Sequence, residues 1–137
     1  MNVTHIHHLN FIVRDLDDGI QRFAVMLGCS ADDFIRDQLS GRNVATARIK
    51  LGETWLVLVS PLSEQGVPAA HLRENGEGFF LLSLGVDDFS PAVTDLQQHG
   101  IAMTAELPRQ GLDNWQVWDI DTNATLQIQI QYCKESA

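Results

Sequence analysis

The sequence predicts an α+β protein built from two copies of one βαβββ module, and three observations predict it. The first is an internal repeat. His8-Leu9-Asn10-Phe11-Ile12-Val13-Arg14-Asp15-Leu16 lies over Leu81-Leu82-Ser83-Leu84-Gly85-Val86-Asp87-Asp88-Phe89 with no gap. Each copy runs from a strand into V-x-D-Φ, Φ being Leu or Phe, and then into a helix. The second is the switch inside each copy from strand alternation to helical spacing of the apolar residues. The third is the series of short alternating segments that follows each helix. The pattern fits one domain over residues 1–137, with a first module at about 4–61, a linker at about 62–76 and a second module at about 77–134.

Thr4–Val13 alternates as a strand, with Leu9, Phe11 and Val13 on one face and His8, Asn10 and Ile12 on the other. Asp15 is a helix cap, and Asp17 and Asp18 suit the positive end of the helix dipole. Leu16, Ile20, Phe23 and Leu27 then fall at helical spacing and form core, with Gly28 as the stop. Residues 29–42 read as a connecting strand and loop. Asn43–Leu51 and Thr54–Ser60 form a hairpin around Gly52-Glu53, closed by Pro61. A two-residue turn pairs Lys50 with Trp55 and Arg48 with Val57. It sends Ala45, Ala47, Ile49, Leu56 and Leu58 toward the helix, and Arg48, Trp55, Val57 and Val59 away from it.

Gly66, Pro68 and Gly76 mark Pro61–Gly76 as a linker, with one helical turn near Ala69–Arg73. Phe79–Val86 opens the second copy. Its helix covers about Phe89–His99, with Phe89, Val93 and Leu96 inward, Ser90-Pro91 as an alternative start and Gly100 as the stop. Short strands are expected at Ile101–Ala105, Trp115–Asp119 and Thr125–Tyr132.

Composition narrows the function. With 18 acidic residues against 9 basic ones, a net charge of −9 and no Lys/Arg cluster, the chain is not expected to bind nucleic acid. No apolar run approaches the ~18–20 residues of a membrane span. The N-terminus lacks the basic-then-apolar layout of a signal peptide, so a cytoplasmic location is expected. Cys29 and Cys133 are expected to be free thiols.

Several tracts, taken in order, resemble the vicinal oxygen chelate superfamily, which includes glyoxalase I, bleomycin-resistance proteins, extradiol dioxygenases and the methylmalonyl-CoA epimerases. The pattern is nearest to the epimerases. The tracts are His8 to Leu16, Ile49-Lys50-Leu51-Gly52, Pro61-Leu62-Ser63-Glu64, Glu74-Asn75-Gly76-Glu77-Gly78, Val86-Asp87-Asp88 and Glu106-Leu107-Pro108. The resemblance spans essentially the whole chain. It implies a glyoxalase-type domain with a cupped mixed sheet and a groove between the modules, and a homodimer formed through sheet edges or exchanged modules.

In the metal-dependent members of that superfamily each module gives two ligands. Carried over, those positions fall on His8, Val57, Leu81 and Gln127. Val and Leu have no donor atom, and one imidazole with one amide is too few for a divalent catalytic ion. No metal and no cofactor are therefore expected. The groove lining is expected to be His8, Asn10, Arg48, Trp55, Val57, Phe79, Leu81, Ser83, Trp118, Gln127 and Gln129.

In that lining His8 is the side chain able to move protons near neutrality. Arg48 could hold a carboxylate or phosphate, Asn10 and Gln127 could donate hydrogen bonds, and the aromatic rings would supply flat walls. His5 and His7 read as terminal residues, His71 and His99 as surface, and Trp115 as packing. Gln127, Gln129 and Gln131 form a polar stripe. Three functions follow. One is a metal-independent lyase or isomerase acting on a small carbonyl- or carboxylate-bearing molecule, with His8 as acid/base. The second is a binding or sequestration protein of the bleomycin-resistance type. The third, least favoured by Val57 and Leu81, is a metal-dependent epimerase or glyoxalase.

Overall fold

A computed structural model describes residues 1–39 and 43–136 of the chain. They divide into two compact units, one formed by residues 9–80 and one by residues 1–8 with 81–137. The division runs through two strands, β1 (Val3–Ile12) and β5 (Gly78–Val86), so each unit holds part of both.

In the 9–80 unit, β1 leads into α1 (Leu16–Leu27), β2 (Ile35–Leu39), β3 (Val44–Leu51), β4 (Thr54–Pro61) and α2 (Val67–Asn75), with strand order β2-β3-β4-β1. Residues 40–42, the end of the expected connecting loop, lie outside the described residues. Asp15 caps α1 by accepting the Asp18 amide at 2.9 Å, and Gly28 closes it at φ 70°, a conformation that costs a residue with a Cβ. The hairpin has the expected register, Lys50 opposite Trp55 and Arg48 opposite Val57. Period-2 alternation therefore sends Ala47, Leu56 and Leu58 into a core with Val13, Ile20, Ala24 and Phe34. The larger of these side chains, such as Leu58 and Ile20, contribute roughly 1.5–3 kcal/mol each on full burial. The linker holds a longer helix than the single turn expected, because Pro68 at the first turn needs no amide partner there.

The start of the second repeat is fastened inside this unit by Glu77. Its carboxylate accepts the Arg14 amide at 2.9 Å and pairs with Arg22 at 2.9 Å. The Arg14 amide first, joined by Arg22, outweighs the opposing effect of burial and holds Glu77 below the usual carboxylate range. A depressed folded-state pKa stabilises above the unfolded value and is lost as pH falls through the folded one. Glu77→Gln is therefore expected to lower the unfolding midpoint at pH 7 and to make no difference below the carboxylate range. Midpoints of both proteins across acid pH check this, and a gap that persists in acid would refute it.

In the other unit β5 runs through α3 (Phe89–Gln98) to β6 (Arg109–Gln110), β7 (Trp115–Asp119) and β8 (Gln129–Glu135), with strand order β1-β5-β8-β7-β6. β5 and β8 are parallel, with Leu81 opposite Gln129, Ser83 opposite Gln131 and Gly85 opposite Cys133. Val86, Phe89, Ala92, Val93, Ile120 and Tyr132 form the core beneath α3.

Two strand assignments are corrected. Ile101–Ala105 contributes only a bridge between Met103 and Ile120. The last strand begins at Gln129 rather than Thr125. Asp121 caps a short 3₁₀ turn over Thr122–Ala124, Thr125 Oγ1 donates to the Ile128 carbonyl, and Leu126 and Gln127 take positive φ of 60° and 63°. Local side-chain bonds to the backbone outcompete the ladder there, although the residues alternate as a strand would.

Candidate functional site

The alternation that buries the helix-facing cores leaves a second face on each sheet. In the unit built from residues 1–8 and 81–137, that face carries a buried polar cluster. Leu81, Ser83 and Gly85 lie on it from β5, and Gln129, Gln131, Cys133 and Glu135 from β8. Gly85 is required by close approach, because a Cβ there would meet the His5 ring at 2.4 Å. The small side chains of β5 make room for the histidines of β1.

His7 and His8 follow one another in the chain, yet both rings enter the cluster, each 3% exposed. Their Nδ1 atoms face at 2.9 Å. Trp115 packs over both, stacked on His8 at 4.7 Å and edge-on to His7 at 4.7 Å. His7 Nε2 lies 2.9 Å from a carboxylate oxygen of Glu135. A carboxylate can only accept, so Nε2 carries the proton in that bond.

On the other side His8 is hydrogen-bonded by the Gln131 amide. Gln131 Nε2 donates to Asp119 at 2.9 Å, and Arg109 grips the same carboxylate at 3.0 and 3.2 Å. One continuous chain therefore runs Glu135–His7–His8–Gln131–Asp119–Arg109. Burial first, and the neighbouring His7 second, push His8 down to about 3, so its ring is neutral at ordinary pH. Burial pushes the Cys133 thiol up to about 12, partly offset by the neighbouring Ser83 hydroxyl. Donor atoms of His7, His8 and Cys133 all lie within 4.8 Å of one another.

Other expected site residues are placed differently. Trp118 faces α3, edge-on to Phe89 at 5.6 Å, with its indole donating to the Ala105 carbonyl. Phe79 is 42% exposed and packs against Phe11, which itself meets Phe23 of α1. Gln127 lies off the strand, and Gln129 holds the register position beside Leu81. His7, expected near a loose terminus, is interior. The polar stripe extends through Gln131, which has definite partners.

In the 9–80 unit the face away from α1 carries Asn10, Arg48, Trp55 and Val57. The Arg48 guanidinium sits 5.0 Å from the centre of the Trp55 ring, and the Lys50 ammonium 5.7 Å from it. Arg48 Nη1 is 3.6 Å from Asp37, an ion pair too long for a hydrogen bond. The Asn10 side-chain oxygen is shielded from solvent with no hydrogen-bond partner among the described residues. Val57 and Leu81, at two of the superfamily's metal positions, are 1% and 5% exposed aliphatic side chains. The residues present do not fit that metal centre.

The missed members of the His8 cluster, namely His7, Trp115, Gln131, Cys133, Glu135, Asp119 and Arg109, left a partial trace in the sequence. Gln131, Cys133 and Glu135 continue the period-2 stripe, whereas nothing local marks two successive histidines as sharing one pocket. Two open clefts lie apart from the His8 cluster. One, of about 580 Å³, is at the start of α1 beside Arg14, Arg36 and Asp37; the other, of about 600 Å³, is bordered by Gly100, Met103 and Trp118. Among the described residues no helix is long and apolar enough to cross a membrane.

Comparison with known proteins bears on this geometry. Residues 7–118 match the family described as the Glyoxalase/Bleomycin resistance protein/Dioxygenase superfamily. No curated protein matches the chain. A methylmalonyl-CoA epimerase solved with methylmalonyl-CoA and NH4+ superposes with a TM-score of 0.89 at 20% identity, covering 98% of this chain and 96% of that one. The methylmalonyl-CoA epimerase of Mycobacterium tuberculosis gives 0.88 at 23% identity, covering 99% and 91%. A hypothetical protein of Bacillus halodurans C-125 gives 0.87 at 20%, covering 96% and 94%. Likeness at these identities establishes the fold.

Proposed function

Because this chain belongs to the glyoxalase/bleomycin resistance protein/dioxygenase superfamily, we propose that it is a binding member of it. It holds a small carboxylate- or carbonyl-bearing organic molecule without the superfamily's metal set, as a cytoplasmic homodimer. The observation that carries the proposal is the pairing of Val57 with Arg48 across the hairpin. Where the superfamily sets a metal ligand, this chain has an aliphatic side chain with a guanidinium beside it. A cation at that spot would be repelled, and an anion is favoured. Lys50 on the same ring adds positive charge, and the Asn10 Oδ1 offers an acceptor for a hydroxyl or other donor carried by the same molecule. Trp55 provides a flat apolar wall.

The proposal leaves His8 out of proton transfer. Its ring is committed, hydrogen-bonded at Nδ1 to His7 and held by Gln131, whereas an acid–base group must have a nitrogen free to meet the substrate's proton. The −9 charge also suits a cationic guest of the kind bleomycin-resistance proteins take, but beside Trp55 the two cations Arg48 and Lys50 outnumber the Asp37 carboxylate, and local charge decides recognition.

Calorimetric titration with small mono- and dicarboxylates, with Trp55 fluorescence as a second readout, tests this. Saturable binding is expected, and Arg48→Met should weaken it at least about tenfold, the cost of one charge-assisted pair. Affinity that ignores Arg48→Met would refute the anchor. Solvent deuterium entering the bound molecule beside its carboxylate, and ceasing in His8→Ala, would restore the proton-transfer reading. Light scattering tests the dimer.

A further inference from the structure

We propose that His7, His8 and Cys133 form a metal site, taking one Zn2+ or a similar thiolate- and imidazole-seeking divalent ion. It lies on the sheet face of the unit formed by residues 1–8 and 81–137. It shares only His8 with the four superfamily positions, and it does not depend on carboxylate binding at Arg48.

The ligand set comes first. Two imidazoles and a thiol, all buried, hold donor atoms within 4.8 Å of one another. Nitrogen and sulfur in that proportion select zinc-like ions over calcium or magnesium. Two imidazole nitrogens bound to zinc at ~2.0–2.1 Å stand roughly 2.9–3.4 Å apart for angles of about 90–110°, and the facing Nδ1 atoms of His7 and His8 stand 2.9 Å apart. Without an ion, only one proton can lie between them.

The surroundings of the ligands supply the independent observation. A metal-bound histidine usually donates its other ring N–H to a carboxylate or carbonyl, which fixes the ring and sets the tautomer. His7 does this through Nε2 to Glu135 at 2.9 Å, which leaves Nδ1 turned inward. His8 is held by Gln131, whose amide is fixed in turn by Asp119 and Arg109. Trp115 covers both rings. The Ser83 hydroxyl is wholly buried near Cys133 and has no hydrogen-bond partner among the described residues. Three protein ligands leave one position for water. With the ligands at most 3% exposed, the site is closed to a substrate, so the ion fastens β1 to β8 over the small side chains of β5.

The test uses the full chain, stripped by chelator and titrated with Zn2+, and with Co2+ as a spectroscopic probe. One ion per chain is expected, with a thiolate-to-cobalt charge-transfer band in the near ultraviolet. The unfolding midpoint should rise by about 5 °C or more at saturating Zn2+. Cys133→Ser should erase the band, His7→Gln should weaken Zn2+ at least tenfold, and Glu135→Gln should weaken it by about tenfold through ring orientation alone.

Circular dichroism establishes that each variant folds. Should Cys133→Ser fail to fold, the native cobalt spectrum and His7→Gln decide the matter. Absence of saturable binding, cobalt bound with no thiolate band, or affinity unchanged in His7→Gln would each overturn the site. The titration contains no carboxylate, so its failure would leave the Arg48 proposal standing, and the reverse holds.

Discussion

Leu58→Ala is expected to cost about 3–4 kcal/mol of stability, enough to leave a domain of this size marginal. Leu58 is 0% exposed on β4, enclosed by Ile20 and Ala24 of α1 and by Ala47 on β3. Truncation removes the transfer energy of the buried methyls and leaves a cavity that helix and sheet cannot both close. Val25→Ala, on the 81% exposed face of the same helix, is expected to change stability by less than about 0.5 kcal/mol. Urea denaturation of the two variants reads the contrast. A Leu58→Ala protein within about 0.5 kcal/mol of native, the size of a surface effect, would mean that α1 does not rest on β4 as described.

Gln131→Leu is the second large effect, expected at about 2–3 kcal/mol even though the two side chains are similar in size. Gln131 is 2% exposed and joins His8 to Asp119. Leucine fills the volume but deprives a buried imidazole and a largely shielded carboxylate of a partner, and the cost is desolvation left uncompensated. Arg109 still grips Asp119, which keeps the loss below that of a buried charge left alone. Gln127→Ala, at an exposed turn position two residues before the strand, should be nearly silent. Equal stabilities for Gln131→Leu and the native protein would show that the polar chain through His8 contributes nothing net. The measurement is best made on chelator-treated protein, so that metal and hydrogen-bond effects stay separate.

Both predictions rest on features of different legibility. The alternation of Asn43–Leu51 against Thr54–Ser60 fixes which side chains face α1, so the core position of Leu58 and the outward position of Arg48 follow from a two-residue turn and a period of two. The repeat of V-x-D-Φ places both helices and their caps, and Asp15 and Asp88 do cap them. At the carboxyl end the same logic misleads. Thr125 to Gln131 alternates as cleanly as any strand, but Asp121 and Thr125 hold Thr122–Ile128 in turns, which moves the strand's start to Gln129 and takes Gln127 off the sheet. Periodicity reports faces only where the ladder forms.

What the sequence determined by itself was the module, its repetition and the two helix-facing cores. All of these depend on local spacing or on the identity of single residues. The tertiary structure alone decided that His7 and His8 share a pocket with Cys133, that Trp115 rather than Trp118 covers them, and that Gln131 is a linking group instead of a solvated stripe. Those facts arise because β5 brings β1 and β8, distant in sequence, onto one face through Ser83 and Gly85. Pairing between remote strands is a property of the assembled sheet, and no window of neighbouring residues records it.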